Sequence, residues 1–179
     1  MKPEPVLHQA PPLAEALIQV LEHAPAGPLG FMGRPGLIGR LEQTGRALEP
    51  LDESWTPGPE GLGRLAALVV VGQIKRLSSD RVRDVLSTWA DGLMPGGLLV
   101  TAEMGAEGRV GSWLLGLGRR VRGRGAMAPW ALTSLLLDVG IAPVHQVWPQ
   151  GVGAWVLTWG AIHRLALRKQ PVSLQKEHF

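Results

Sequence analysis

Leu93-Met94-Pro95-Gly96-Gly97-Leu98-Leu99-Val100-Thr101-Ala102-Glu103 is the stretch whose reading settles the architecture. Pro-Gly-Gly stops a helix and turns the chain, and the apolar run behind it, Leu98–Glu103, reads as a strand. Upstream, Val82, Val85, Leu86, Trp89 and Leu93 recur at i, i+3, i+4 spacing, which predicts an amphipathic helix capped by Ser78 or Ser79 and ended by Pro95-Gly96-Gly97. Before that helix, Ala66–Gly72 is a continuous apolar run of the kind that a parallel sheet buries on both faces.

Working outward in both directions extends the alternation. Towards the C-terminus, Pro129 opens a helix that runs to Val139 and stops at Gly140. Ile141–Trp148 and Ala154–Gly160, joined by a Pro-Gln-Gly turn, predict a hairpin. Towards the N-terminus, Leu13–Ala24 is helical in pattern and Pro28–Met32 is a short strand. Gly33-Arg34-Pro35-Gly36 turns the chain, Leu37–Thr44 is a short helix stopped by Gly45, and Arg46–Leu51 is a strand ending at Asp52. Glu53–Leu65 is dense in Gly and Pro and reads as a loop. The whole predicts one domain: an N-terminal helical segment (1–27), an α/β core (28–160) and a basic tail (161–179).

Composition excludes several classes of chemistry. With 45% apolar and 18% charged residues the chain is globular rather than disordered. It has no cysteine, so disulfides, thiolate zinc sites and a cysteine nucleophile are out. His8, His23, His145, His163 and His178 are scattered without metal-ligand spacing, so no metal is expected. No Ser/His/Asp grouping, phosphate-binding loop or carboxylate pair stands out, so no catalytic residue is assigned. The absence of a signal-peptide core or membrane-length apolar run sets the expectation of a cytoplasmic protein, with a peripheral membrane role open. Charge is uneven: residues 1–60 carry four Lys/Arg against eight Asp/Glu, residues 61–179 fourteen against seven.

The ordered series, in particular Leu93-Met94-Pro95-Gly96-Gly97 after a strand and an amphipathic helix and before a finishing hairpin, resembles the second half of class I S-adenosylmethionine-dependent methyltransferases. The resemblance covers residues 28–160. It implies a Rossmann-like α/β sandwich, mostly parallel, with an antiparallel C-terminal hairpin and strand order 2-1-4-5-7-6 in the family's count. The family's third strand should be missing. A helix, a strand and two loops need about 23 residues, and Glu53–Leu65 offers thirteen.

The resemblance also places an S-adenosylmethionine site. Its glycine loop aligns with Leu29–Arg40, where Gly30 stands at the acidic position and Met32 and Arg34 replace two glycines. Gly33, Gly36, Asp52 and Gly72 are the candidate cofactor-binding residues, Asp52 as acceptor for the ribose hydroxyls. The competing reading makes the glycines mere turn formers, with Arg34 in the former pocket. The segment from Arg109 to Arg124 has no acid. Arg109, Trp113, Arg119, Arg120, Arg122 and Arg124 are candidates for an anionic substrate or partner, or for contact with a membrane surface. Specific nucleic-acid binding is not expected, because aromatics do not interleave with the arginines.

Two functions remain open on these grounds. One is a non-catalytic binding or assembly module with a degenerate cofactor site, acting as a homo- or hetero-oligomer. The other is an active methyltransferase on a small or lipid-like anionic substrate.

Overall fold

The computed structural model describes residues 12–77, 79–104, 129–147 and 155–163. Its elements are α1 (Pro12–Leu21), β1 (Leu29–Met32), α2 (Ile38–Leu41), β2 (Leu48–Pro50), β3 (Leu65–Val71), α3 (Ser79–Asp91), β4 (Leu93–Met104), α4 (Pro129–Asp138), β5 (Ile141–Val147) and β6 (Trp155–Ile162). Six strands form one sheet in the order β2-β1-β3-β4-β6-β5. β2, β1, β3 and β4 run parallel, and β6 is antiparallel to both β4 and β5. This is the order expected from the resemblance, with no strand beyond β2 among the described residues.

Helices cover both faces, as a doubly wound sheet requires. On one face Leu13, Leu17, Val20 and Leu21 of α1 and Leu41 of α2 pack with Phe31, Val69, Val100 and Leu157. On the other, Val82, Leu86 and Trp89 of α3 and Leu132 and Leu136 of α4 pack with Met32, Leu68, Val70 and Leu99. All seven residues of β3 are buried, which is why its sequence is apolar without alternation. Arg46 secures the turn after α1, donating to the carbonyls of Pro25 (2.9 Å) and Ala24 (3.0 Å).

Two details differ from the sequence reading. The helix predicted through Leu93 ends at Asp91, and Leu93 belongs to β4 instead. Pro95-Gly96-Gly97 does not separate a helix from a strand but lies inside β4. Leu93 pairs with Leu65 before it and Leu98 with Ala67 after it, so the extra residues form a bulge. Pro and Gly mark a turn in either setting, and only the pairing with β3 on both sides tells them apart.

The segment 51–64, where the family would place a helix and its third strand, contains neither. Leu51 and Trp55 instead pack onto the α3 face of the sheet. A Cβ on Gly92 would overlap the Trp55 ring. Gly63 N donates to Asp91 O (2.9 Å) and Arg64 N to Gly92 O (3.0 Å), tying the loop to the α3–β4 junction. Arg64 also forms an ion pair with Glu49 of β2. The open edge beyond β2 is therefore short, and Pro50 further weakens it as a pairing template.

Candidate functional site

In an open α/β sheet, ligands bind beyond the carboxyl ends of the strands, where the chain reverses its direction of winding. Here that point lies between β1, whose next strand is β2 on one side, and β3 on the other. A cleft of about 360 Å³ opens there, lined by Gly33, Arg34 and Pro35 after β1, Leu51, Asp52 and Glu53 after β2, and Val71, Gly72, Gln73 and Arg76 at the end of β3. Trp155 completes it. Because β6 is antiparallel, its first residue stands at the end of the sheet where the parallel strands finish, opposite Met104.

Three of the four glycine and aspartate candidates, Gly33, Asp52 and Gly72, meet in this cleft. Gly72 has φ +70°, a left-handed conformation that favours glycine, and its N–H donates to Ala102 O (2.8 Å). A Cβ on Gly33 would lie 2.9 Å from Val71 Cβ, so this glycine is required by packing as well as by the turn. Gly36 is elsewhere. It is exposed, it does not line the cleft, and a Cβ there would meet nothing within 4 Å. Arg34 is exposed and lines the cleft.

Gly30, at the family's acidic position, has a specific structural reason. A Cβ there would come within 2.8 Å of Leu51 Cδ1 and Leu65 Cδ1 and 2.9 Å of Leu68 Cδ1. Leucines from the shortened loop and from β3 crowd the space that a carboxylate would need.

Asp52 is fully exposed yet conformationally held. Its Oδ1 accepts from Ser54 Oγ (2.7 Å) and Ser54 N (2.8 Å). These bonds, the hydroxyl first, hold its carboxyl below the ordinary aspartate range. Its folded-state pKa is depressed, so its small contribution to stability is present above the unfolded value and is lost as pH falls through the folded one. Ser54→Ala should move the Asp52 titration, followed by carboxyl-carbon NMR, up towards the ordinary value; an unmoved midpoint would mean that the hydroxyl does not carry the effect.

Sequence reasoning did not select Glu53, Arg76, Gln73 or Trp155. Arg76 forms an ion pair with Glu53 across the cleft. Gln73 is half-buried, and its Oε1 is shut off from solvent with no hydrogen-bond partner. Glu103, at the end of β4, accepts from Ile74 N (2.8 Å) and so holds the turn that carries Gln73. For Trp155 the signal was available: an antiparallel last strand must start where the parallel ones end.

Arg109, Trp113, Arg119, Arg120, Arg122 and Arg124 lie outside the described residues. His23 and His145 line adjoining shallow clefts between α1 and the hairpin, with Trp159 common to both, and the His145 ring stacks on Trp159 at 5.4 Å. Among the described residues no group of three or more His, Asp or Glu could hold a metal ion. None of the described helices is long and apolar enough to cross a membrane.

No family model and no curated protein matches the sequence. Solved structures do match the fold. The methyltransferase domain (CMeT) of the citrinin polyketide synthase superposes with a TM-score of 0.60 at 15% identity, covering 83% of this chain and 50% of that one. PigF, solved with S-adenosylhomocysteine (SAH), gives a TM-score of 0.60 at 12% identity, covering 84% and 54%. A SAM-dependent methyltransferase from Thermotoga maritima gives 0.54 at 14%, covering 83% and 89%. The chain spans about half the length of the first two. It has the class I S-adenosylmethionine-dependent methyltransferase fold.

Proposed function

We propose that this chain is a non-catalytic binding or assembly module built on the methyltransferase fold, its cofactor site reduced to the part beside β1 and β3. The observation that carries this reading is the segment 51–64, which has neither the helix nor the strand whose following loop would contact adenine. What is left fits one end of S-adenosylmethionine (SAM) and not the other. Asp52 offers an acceptor in the cleft beside Gly33 and Gly72, but Gly30 stands where the resembled family has its first acidic residue and the segment 51–64 has no third strand to end in another.

Calorimetry with SAM, SAH and L-methionine tests the reading. The nucleoside should add little, leaving all three weak and within about tenfold of one another. Micromolar SAM binding, or methyl transfer to any added acceptor, would overturn it. That outcome would favour the second reading, an active enzyme on a small or lipid-like anionic substrate, which the surviving cleft supports.

The partner surface in this proposal is the arginine-rich segment from Arg109 to Arg124, set in the more basic part of the chain. The shortness of β2 and Pro50 argue against its edge as the alternative. An anionic macromolecule or an acidic membrane surface is the class of partner, and the cytoplasm is the compartment. Reversing Arg119, Arg120, Arg122 and Arg124 to glutamate should abolish co-purification with partners and binding to anionic vesicles; retention of both would remove the segment from the proposal.

A further inference from the structure

The sheet is covered unequally at its C-terminal hairpin. On one face Ile141 of β5 and Ile162 of β6 belong to the same core cluster as Leu132 and Leu136 of α4. On the other face the covering by α1 stops short. Pro143, His145 and Val147 of β5 are exposed there, and Trp159 and Ala161 of β6 are only partly buried. Two adjoining clefts of about 460 and 270 Å³ make one groove between α1 and the hairpin, with His23 and Trp159 common to both. Pro143 and Ala161 line one end and Ala16 and Val147 the other. An α/β sheet normally covers such a face.

The chain leaves the described fold at the mouth of this groove. β6 ends at Ile162, His163 N donates to Gly140 O (3.0 Å), and Ala161 of the lining stands two residues earlier. Residues 164–179 follow, beginning Arg164-Leu165-Ala166-Leu167-Arg168-Lys169-Gln170. Charge matches this segment to the groove. None of the lining residues is Asp, Glu, Lys or Arg, and two leucines suit such a floor. The wall beside it is acidic. Pro12–His23 carries exposed Glu15 and Glu22 and no Lys or Arg, each glutamate within one helical turn of Gln19 in the lining. Residues 164–179 carry Arg164, Arg168, Lys169 and Lys176 against Glu177 alone. Residues 1–11, with Lys2 and Glu4, have no such complementarity. Reach is sufficient. Ala16 to His23 spans about 10 Å of helix axis, and Arg164–Gln170 can extend to about 23 Å.

We propose that residues 164–170 turn back into the groove between α1 and the β5–β6 hairpin. Leu165 and Leu167 cover Trp159 and His145, and the flanking basic residues meet Glu22 and Glu15. The groove shares no lining residue with the cleft beside β1 and β3, so the inference is independent of the function proposed above.

Because the chain has no cysteine, a nitroxide label on Gln170→Cys sits at one known position of the full-length protein. In NMR spectra the signals of Ala16, Gln19, Val147 and the Trp159 indole should lose most of their intensity, while those of α3 on the opposite face stay sharp. Leu165→Asp with Leu167→Asp should restore the lost intensity. Glu15→Lys with Glu22→Lys should do the same, and adding Arg164→Glu, Arg168→Glu and Lys169→Glu to that variant should bring the broadening back. A label on Val172→Cys repeats the measurement from a second position. Sharp groove signals with both labels, or broadening unchanged by the leucine variant, would overturn the proposal. So would broadening that arises only when labelled protein is mixed with an unlabelled, isotope-enriched copy, since the occupant would then be a second molecule.

Discussion

Replacing Trp89 with alanine is expected to destabilise the protein by about 3–5 kcal/mol. Trp89 lies on the last turns of α3, 2% exposed, and is among the largest fully enclosed side chains. It belongs to the core cluster that also holds Val82, Leu86, Leu93 and Leu99, between one helix face and the sheet. Removing the indole leaves a cavity that strands on one side and a helix on the other cannot collapse to fill. Urea unfolding should show a lower midpoint at unchanged slope, and the thermal midpoint should fall by roughly 10 °C. Trp89→Phe should recover more than half of the loss, because it restores most of the volume. A loss below about 1 kcal/mol for the alanine variant would place the side chain at the surface.

Gly97→Ala is expected to cost about 3 kcal/mol, at the upper end for overpacking. A Cβ at this position would stand 2.8 Å from Met94 O, 3.0 Å from Leu65 O and 3.3 Å from Ala66 O. All three are backbone carbonyl oxygens, held by the bulge and by β3, so none can turn aside as a side chain would. The adjacent Gly96 provides the contrast. It has φ +76° and open space around it, so Gly96→Ala pays only conformational strain of roughly 1–2 kcal/mol. Gly36→Ala, with neither a positive φ nor a neighbour, should be neutral or slightly stabilising. The order Gly97, Gly96, Gly36 in equilibrium unfolding is the result that checks the bulge; a reversed order for the first two would contradict it.

These two predictions also mark where the sequence was legible. The α3 stripe could be read because a helix buried on one side must repeat its apolar residues at helical spacing. β3 could be read because a strand covered on both faces has no reason to alternate. The absence of the third strand followed from chain length alone, since no arrangement of thirteen residues makes both a helix and a strand with their loops. Pro95-Gly96-Gly97, by contrast, was placed at the correct residues with the wrong role. A bulge within a strand and a break between elements use the same residue types, and Leu65, which distinguishes them, lies 28 positions before Leu93 in the chain.

The site divides along the same line. Gly33, Asp52 and Gly72 could be named from their places after three successive strands, because the ends of parallel strands converge. Gly36 could not be separated from Gly33 by sequence. Both are glycines of one turn, and only the packing of Val71 against one and open space beside the other tells them apart. Gln73, Arg76 and Trp155 carried no motif, and their joint position depends on how two distant segments, the turn after β3 and the start of β6, meet. By itself, then, the sequence determined the order and type of the elements and the loss of one strand, because burial periodicity and chain length act locally. Only the tertiary structure decided that Leu51, Leu65 and Leu68 crowd the space beside Gly30, that β4 runs through its own turn, and that Trp155 comes to line the same cleft as Gly33, Asp52 and Gly72. Each of these is a contact between residues far apart in the chain, and no local pattern encodes such contacts.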